Sequence, residues 1–330
     1  MNHPEAVSAR PIFIGNRQPS VRESIERSWL RAVRFFTYNT PIQKGKYRVA
    51  SAAQAMCRVF PKEVLTPARD GRMLRVDFAP RAWDSVFFFG EYERPLSKVV
   101  ESIIRPGDVC LDVGANFGWY TTLLSRLVGP TGKVHAFEPF PASFEKLDDN
   151  VNRLPGASNV TINNVAVGDS NKTGAITLDD AEHSGFVSVV DIEAVDPSAT
   201  KCEMIPLTDY LGTHLDGREV TFLKADIEGA ELPMLRGAEP IFAQSQLPIL
   251  LIEMVADTSA RFGYTPNDIL HHLSARGDYR FVAFDEGLVR FRKIERFEPG
   301  HPGANVFCFP VHGFEDRLDS VKWLFNDANG

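Results

Sequence analysis

Cysteine is scarce in this chain of 330 residues: four are present, and no two of them form a C-x-x-C pair. This predicts reduced, buried thiols, with Cys110 and Cys308 in core strands, and disfavours a disulfide or zinc framework. No apolar run reaches the roughly eighteen residues that span a membrane. The first residues contain Pro and Glu where a signal peptide needs a continuous apolar stretch. We therefore expect a cytoplasmic protein.

Positive charge is also in short supply, because 36 Lys and Arg face 43 Asp and Glu, for a formal net charge of −7. A nucleic-acid-binding surface as the main function is disfavoured, since phosphate contacts need clustered Lys and Arg. The chain has no Walker P-loop, no G-x-S-x-G elbow and no H-E-x-x-H or H-x-x-x-H spacing. A zinc site therefore has little support. Nothing in the pattern requires another metal, although the acidic residues near 224–231 leave a divalent ion open.

From about residue 105, short apolar runs alternate with helical patterns, which predicts a mostly parallel sheet covered by helices. The predicted strands are 109–113, 133–137, 160–167, 220–227, 249–254, 280–284 and 306–310. Helical patterns fall near residues 119–128, 142–153, 230–243 and 266–275. Residues 171–206 depart from the alternation and predict an antiparallel β insertion after the third strand, where loops border the ligand crevice of open sheets.

Residues 1–85 lack this alternation and are interpreted as an N-terminal extension of unknown role, before a main domain at 86–315 and a tail at 316–330. Ser20 and Glu23 have the spacing of a capping box, which begins a helix. Apolar residues follow at helical spacing: Val21, Ile25, Trp29, Val33 and Phe36. Such a stripe favours packing against the main domain; because arginines lie among these residues, a membrane-surface helix is the alternative.

The stretch from Asp112 to Tyr120 links an apolar run to a helical pattern through Gly114 and Gly118. Glycine permits a tight bend and lets a ligand approach the backbone. The free N–H groups at the start of the helix then face a polar or anionic group. A turn of this kind also serves packing alone, so by itself it leaves a cofactor site undecided.

Glu138 follows the next predicted strand, about twenty residues after the glycines, where parallel α/β folds place a carboxylate beside a ribose. A dinucleotide fingerprint has a middle glycine that makes room for a pyrophosphate, and Asn116 stands there instead. Asp112 would repel a pyrophosphate and attract an ammonium group. A zwitterionic amino-acid moiety is favoured, and S-adenosylmethionine (SAM) fits both ends of such a site.

Lys224, Asp226 and Glu228 form a second dense cluster, and they share one side if the strand runs through all three. Charges at a strand end must pair with one another, a ligand or water. Glu253, at the end of the following strand, could project into the same crevice. Asp169 is a candidate acceptor for an adenine amino group, although a turn-forming Gly-Asp pair explains it nearly as well.

These motifs together resemble the FkbM family of SAM-dependent methyltransferases. The resemblance rests on DVGANFGWYT, the FEP at 137–139, the AVGD at 166–169 and the KADIEGAE at 224–231. GEYE at 90–93, IPLTDYL before the fourth strand and NVFCFP at 305–310 are also similar to the family pattern, so the likeness covers roughly residues 85–311.

The resemblance implies a Rossmann-like class I methyltransferase fold with a seven-stranded sheet, an antiparallel last strand and O-methylation of a sugar, glycan or polyketide hydroxyl. It places Asp112, Gly114, Asn116 and Gly118 at the methionyl end of SAM, Glu138 at the ribose and Asp169 near the adenine. Because a hydroxyl must lose its proton, Asp226 or Glu228 is the candidate base, with Lys224 tuning their charge and His183 as the fallback. The alternatives are an NAD- or nucleotide-sugar-dependent oxidoreductase and a non-catalytic SAM-binding protein.

Overall fold

The computed structural model describes residues 11–14, 18–40, 45–56, 63–77, 84–178, 187–191 and 200–324. Fifteen strands lie in this part of the chain, in three sheets. They are β1 (Ile12–Ile14), β2 (Glu63–Pro67), β3 (Met73–Asp77), β4 (Val109–Val113), β5 (Lys133–Phe137), β6 (Val160–Asn163), β7 (Ala166–Gly168), β8 (Lys172–Leu178), β9 (Val187–Asp191), β10 (Thr200–Pro206), β11 (Phe222–Ala225), β12 (Ile249–Val255), β13 (Tyr279–Asp285), β14 (Arg290–Ile294) and β15 (Gly303–Pro310).

The helices connect and cover these strands. In the described residues they are α1 (Val21–Asn39), α2 (Lys46–Met56), α3 (Asp84–Phe89), α4 (Arg94–Ile103), α5 (Trp119–Val128), α6 (Pro141–Asn152), α7 (Leu207–His214), α8 (Glu231–Arg236), α9 (Ala256–Arg261), α10 (Pro266–Ser274) and α11 (Glu315–Leu318). The helical pattern near 230–243 forms only a short α8 and then the 3₁₀ turn Glu239–Phe242. Gly237 and Pro240 interrupt the longer helix that the pattern predicts.

The main sheet has eight strands in the order β14-β13-β15-β12-β11-β4-β5-β6. Strands β6, β5, β4, β11 and β12 run parallel, and β15 is antiparallel to both β12 and β13. The predicted antiparallel last strand is therefore confirmed. The expected count of seven is wrong by one, because β13 continues into a hairpin whose second arm, β14, extends the edge.

The third predicted strand, 160–167, is in fact two strands in two sheets. β6 belongs to the main sheet, whereas β7 pairs with β10 in a four-stranded sheet of order β7-β10-β8-β9. The break falls at Asn163 and Asn164, whose side-chain amides donate to the carbonyls of Ala136 and Glu138. Such side-chain to backbone bonds compete with strand pairing. The β insertion itself is confirmed, since β8, β9 and β10 are antiparallel neighbours.

Alternating side chains of the main sheet enter two hydrophobic clusters, one on each face. Along β4, Cys110 belongs to one cluster, while Leu111 and Val113 belong to the other. The Cys110 cluster also contains residues from α1, α3, α4 and α5, so it extends from the main sheet into the N-terminal extension across residue 85. Cys110, Cys202 and Cys308 are buried free thiols.

Helix α1 begins at the predicted capping box, in which the Ser20 hydroxyl accepts from the Glu23 N–H and the Glu23 carboxylate accepts from the Ser20 N–H. The predicted packing stripe, however, is mostly wrong. Four of its five residues are exposed, with relative exposures of 80% for Val21, 65% for Ile25, 45% for Trp29 and 43% for Phe36. The buried face carries Leu30, Val33, Arg34 and Thr37.

Polar side chains bind the N-terminal elements to the rest of the fold. The buried Arg34 guanidinium donates to the carbonyls of Phe87 and Pro67. Arg72, also buried, donates to the Trp119 carbonyl at 2.7 Å and to the Thr122 hydroxyl at 2.6 Å, both in α5. The extension is therefore attached directly to the helix that follows the glycine turn. None of the helices in the described ranges combines the length and the apolar character that crossing a bilayer demands.

Candidate active site

The glycine turn lies between β4 and α5, at the carboxyl end of the sheet. Gly114 and Gly118 have φ of +79° and +88°, and Asn116 adopts the left-handed region as well, at +49°. The N–H groups of Gly114 and Ala115 both donate to the Phe137 carbonyl at 3.0 Å. A Cβ on residue 114 would lie 1.9 Å from the Asp226 carbonyl oxygen. This position requires glycine both for its backbone conformation and for the close approach of the neighbouring loop.

Glu138 lies at the tip of β5 and is held by the backbone of the turn. Its Oε2 accepts from the Asn116 N–H at 2.7 Å, and its Oε1 accepts from the Phe140 N–H at 2.9 Å. The side chain is buried, and burial raises the pKa of Glu138 to about 7 even though both hydrogen bonds favour the ionised form. The remaining lone pairs of the carboxylate are free to accept from a ligand's hydroxyl groups.

Asp112 lies behind the turn and does not line the cavity described below. Its Oδ2 accepts from the Thr121 hydroxyl at 2.5 Å, and its Oδ1 is buried without a hydrogen-bond partner. Lys224 donates to Asp226 Oδ2 at 2.9 Å. Burial alone would lower the pKa of Lys224, but the carboxylates of Asp226 and Asp112 outweigh burial and raise it. Lys224 is therefore a permanent cation between the two aspartates.

The loop after β11 is fixed by Glu231, the first residue of α8. Its Oε1 accepts from the N–H groups of Ile227 at 3.0 Å and Gly229 at 3.2 Å. The Tyr264 hydroxyl completes the network, 2.6 Å from the Gly229 carbonyl and 3.2 Å from Glu231 Oε2. Glu228 adopts a φ of +54° in this loop. These contacts hold a strained backbone in place.

The strand ends bring three carboxylates together. The alternation argument expected Lys224, Asp226 and Glu228 to share one side of a strand, but β11 ends at Ala225. The loop conformation, rather than the pleat, turns Glu228 toward Asp226. One oxygen from each of Asp226, Glu228 and Glu253 lies within 4.8 Å of the others. The suggestion that Glu253 projects into the same crevice is therefore confirmed.

Glu93 is a crevice residue that the sequence reasoning did not single out. It precedes α4 with a φ of +42°, and its Oε2 accepts from the Tyr120 hydroxyl at 2.8 Å. The Lys224 ammonium lies 5.1 Å from the centroid of the same tyrosine ring. Burial and the charge of Asp226 raise the pKa of Glu93 to about 7. The only signal in the sequence was the GEYE segment at 90–93.

These groups surround a cavity of about 240 Å³ at the carboxyl ends of β4, β5, β11 and β12. The sequence-predicted residues that line it are Gly114, Asn116, Glu138, Lys224, Asp226 and Glu228. Glu93 and Glu253 line it too, so five carboxyl groups face one lysine among the lining residues that the structure describes. Gly118 and Asp169 do not line it, and the Asp169 carboxylate lies 3.4 Å from the Lys172 ammonium. His183 falls outside the described residues.

The fold and the site together define a class of enzyme. With the edge strand β14 left out, the main-sheet strands numbered along the chain lie in the order 3-2-1-4-5-7-6, and the seventh, β15, is antiparallel. A glycine turn follows the first strand, and a carboxylate follows the second. This is the Rossmann-like fold of class I SAM-dependent methyltransferases. A dinucleotide-binding sheet has the order 3-2-1-4-5-6, so this fold does not support the alternative of an NAD- or nucleotide-sugar-dependent oxidoreductase.

The particular family follows from a family model, the methyltransferase FkbM domain, which matches residues 112–281, just over half of the chain. The chain belongs to the FkbM methyltransferase family. The resemblance noted from the motifs is therefore confirmed.

Curated relatives are similar over part of their length. The hexuronic acid methyltransferase AglP of Haloferax volcanii is 28% identical over 170 residues, covering 51% of this chain and 62% of the relative. A protein-L-isoaspartate O-methyltransferase of Ignicoccus hospitalis is 29% identical over 131 residues, covering 40% and 59%. The chain thus spans less than two thirds of the curated relatives it matches. Among solved structures, methyltransferase FkbM from Methylobacillus flagellatus KT has 18% identity and a TM-score of 0.39, covering 68% of this chain and 52% of that one.

Proposed function

We propose that the chain transfers the methyl group of SAM to a hydroxyl oxygen of a sugar, glycan or polyketide-type acceptor. The observation that carries the proposal is the continuity of one cavity from the Glu138 carboxylate, past the glycine turn, to the carboxylates at 226, 228 and 253. A donor and an acceptor can therefore meet in the same cavity. The hexuronic acid methyltransferase among the relatives supports a sugar acceptor.

For the donor, we assign the ribose to Glu138 and the methionyl end to the turn that contains Gly114 and Asn116. Glu138 fits because the Asn116 and Phe140 N–H groups orient its carboxylate, which retains lone pairs for vicinal hydroxyls. Gly114 fits because the backbone itself borders the cavity there. SAM supplies an electrophilic methyl group when bound.

Three residues that the sequence predicted to contact the donor, Asp112, Gly118 and Asp169, do not line the cavity and have other roles in this proposal. Asp112 and Gly118 lie behind the cavity lining, so Asp112 acts through Lys224 and Gly118 through the shape of the turn. We assign the adenine to Val165 and Val167, which line the cavity, and Asp169 follows them in the chain. Support for Asp169 as an adenine contact comes from the family resemblance.

The residues of the chain have two tasks in the transfer: they align the acceptor oxygen with the methyl group and accept the proton that the hydroxyl loses. Asp226 and Glu228 are the candidate bases because both line the cavity, close to Glu253. The Lys224 ammonium, 2.9 Å from Asp226 Oδ2, orients that carboxylate and balances its charge.

The proposal is tested first by titration calorimetry of the full chain with SAM, and then with methyl-labelled SAM and a panel of glycosides that carry hexuronic acids, neutral hexoses or polyketide alcohols. We expect SAM to bind and the label to enter a base-stable methyl ether. A folded protein that binds no SAM would contradict the donor assignment. Label that mild base releases as methanol would indicate a carboxyl acceptor, and SAM binding without transfer to any acceptor would favour a non-catalytic binding protein.

A further inference from the structure

Helix α1 exposes a group of large apolar side chains to solvent. Side chains that are three, four or seven residues apart lie on the same side of an α-helix. Five large apolar residues share one side of α1 in this way, and all are exposed: Val21, Ile25, Trp29, Phe35 and Phe36. Isolated apolar residues are common on protein surfaces, whereas a contiguous patch indicates an interaction site. We call these five residues the α1 surface.

The orientation of α1 is fixed by its buried side. Leu30 is fully buried. The Arg34 guanidinium donates to the Phe87 carbonyl, and the Thr37 hydroxyl donates to the Phe88 carbonyl at 2.6 Å. A rotation that brought the α1 surface inward would break both hydrogen bonds and expose Leu30, and broken hydrogen bonds are costly in a buried environment. The α1 surface therefore faces solvent because of the way in which the helix is attached to the fold.

The charged side chains that α1 exposes are arginines. Arg22 and Arg31 are exposed, and helical spacing places them at the two margins of the α1 surface. Glu23 is buried in the capping box, and Glu26 is half-buried, 3.1 Å from Arg22. The structure describes every residue of α1, so its exposed side is apolar and basic. Long arginine side chains can cover apolar surface with their methylene groups while the guanidinium reaches a polar layer.

We propose that α1 lies flat on a bilayer that contains anionic lipid, with the α1 surface among the outer acyl chains and the two arginines beside lipid phosphates. Interfacial helices combine an apolar side that carries Trp, Phe or Leu with basic residues on the polar side. Trp29 is of the residue type that is enriched at the membrane interface. Because its other side is attached to the protein, α1 contacts the bilayer along its length, about 28 Å for 19 residues.

Two other partners fit these observations less well. A second copy of the chain, bound through a twofold axis, would bring the arginines of both copies into one interface, where they repel each other. A nucleic-acid backbone offers phosphates but would leave the apolar side chains in water. A bilayer satisfies both the apolar and the basic residues. The net charge of −7 does not prevent binding, because charges more than about 8 Å apart are largely screened at physiological ionic strength.

The α1 surface is separate from the cavity, since no residue of α1 lines it. Membrane binding therefore goes beyond the proposed methyl transfer and does not depend on it. It gives a role to the N-terminal extension, for which the sequence indicated none. It also favours the membrane-surface helix, which was the alternative to packing against the main domain.

The test is flotation of the full chain with vesicles of phosphatidylcholine alone, or of phosphatidylcholine with about one third phosphatidylglycerol. We expect binding to the anionic vesicles that weakens at high salt. Ile25→Ser combined with Phe35→Ser should lower the partition coefficient about tenfold or more, because both side chains lose contact with the acyl region. Arg31→Gln should lower it about fivefold. The matched control, Leu288→Ser with Val289→Ser, changes two exposed apolar residues outside α1 and should leave binding unchanged.

Three results would overturn the proposal. The first is the absence of binding to the anionic vesicles. The second is an equal loss of binding in the α1 variants and in the control, each shown to be folded by urea unfolding. The third is a dimer, measured by sedimentation velocity without vesicles, that Ile25→Ser with Phe35→Ser dissociates, because this would assign the α1 surface to a second copy. Calorimetry with SAM does not involve the α1 surface, so a failure of the proposed methyltransferase function is detected separately.

Discussion

Replacing Gly114 by Ala tests the closest approach in the site. The residue has a φ of +79°, and a Cβ there would lie 1.9 Å from the Asp226 carbonyl oxygen and 3.0 Å from Ile227 Cγ2. The left-handed conformation costs a non-glycine residue about 1–2 kcal/mol. Relief of the overlap requires a backbone shift that costs about a further 1–3 kcal/mol. We therefore expect G114A to lower the free energy of unfolding by about 2–5 kcal/mol.

The matched control is Gly156→Ala, because Gly156 has a φ of +76° and its Cβ would meet nothing within 4 Å. G156A should lower the free energy of unfolding only by the cost of the left-handed conformation, about 1–2 kcal/mol. Gly118→Ala is intermediate, since its Cβ would meet a flexible side-chain atom, Leu147 Cδ1, at 2.7 Å. Urea unfolding measures all three. Equal losses for G114A and G156A would refute the argument that residue 114 is glycine because of the neighbouring loop.

Three further predictions concern the donor site, the loop and α1. Burial raises the pKa of Glu138 to about 7, and ribose hydroxyls would stabilise its ionised form. The affinity for SAM should therefore be highest above pH 7 and should decline as the pH falls through 7. Calorimetry should find this pH dependence much reduced in Glu138→Gln. Glu231→Ala leaves the N–H groups of the loop without their acceptor and should cost about 2–5 kcal/mol in urea unfolding. Leu30→Ala should cost about 2–5 kcal/mol and Trp29→Ala less than about 1 kcal/mol, because Leu30 is buried and Trp29 is 45% exposed.

Each of these predictions has an outcome that contradicts it. An affinity for SAM that increases toward low pH would argue against a ribose at Glu138. Glu231→Gln retains the Oε1 acceptor and is the matched control for the loop, so equal losses in the Ala and Gln variants would show that the hydrogen bonds are unimportant. A larger loss of unfolding free energy in W29A than in L30A would contradict the assignment of Leu30 to the packing face of α1.

The parallel core was predictable because its signals are local and strong. Strands β4 and β5 begin and end where the apolar runs do, and the turn between β4 and α5 is marked by its glycines. The relation between the turn and Glu138 follows from the geometry of parallel strands, whose carboxyl ends share one edge. The assignment of each site residue to donor or acceptor remains a prediction.

Two of the errors arise where polar side chains are buried. On α1, the apolar stripe suggested one face, but the helix packs through the adjacent one, because Arg34 and Thr37 satisfy carbonyls of Phe87 and Phe88. A hydrophobic pattern treats both residues as solvent-exposed. Glu93 was overlooked for a related reason: its partner Tyr120 is distant in sequence, and only the packing of α4 against α5 brings them together.

The attachment of Arg72 to the first turns of α5 limits how this protein can be recombined with its relatives. The guanidinium reaches the Trp119 carbonyl and the Thr122 hydroxyl from a hairpin that lies outside the matched family region. A chimera joined near residue 85 would carry over the glycine turn without the arginine that supports the helix behind it. Exchange of the N-terminal extension between family members should therefore destabilise α5, unless the facing side chains of α5 are transferred with it.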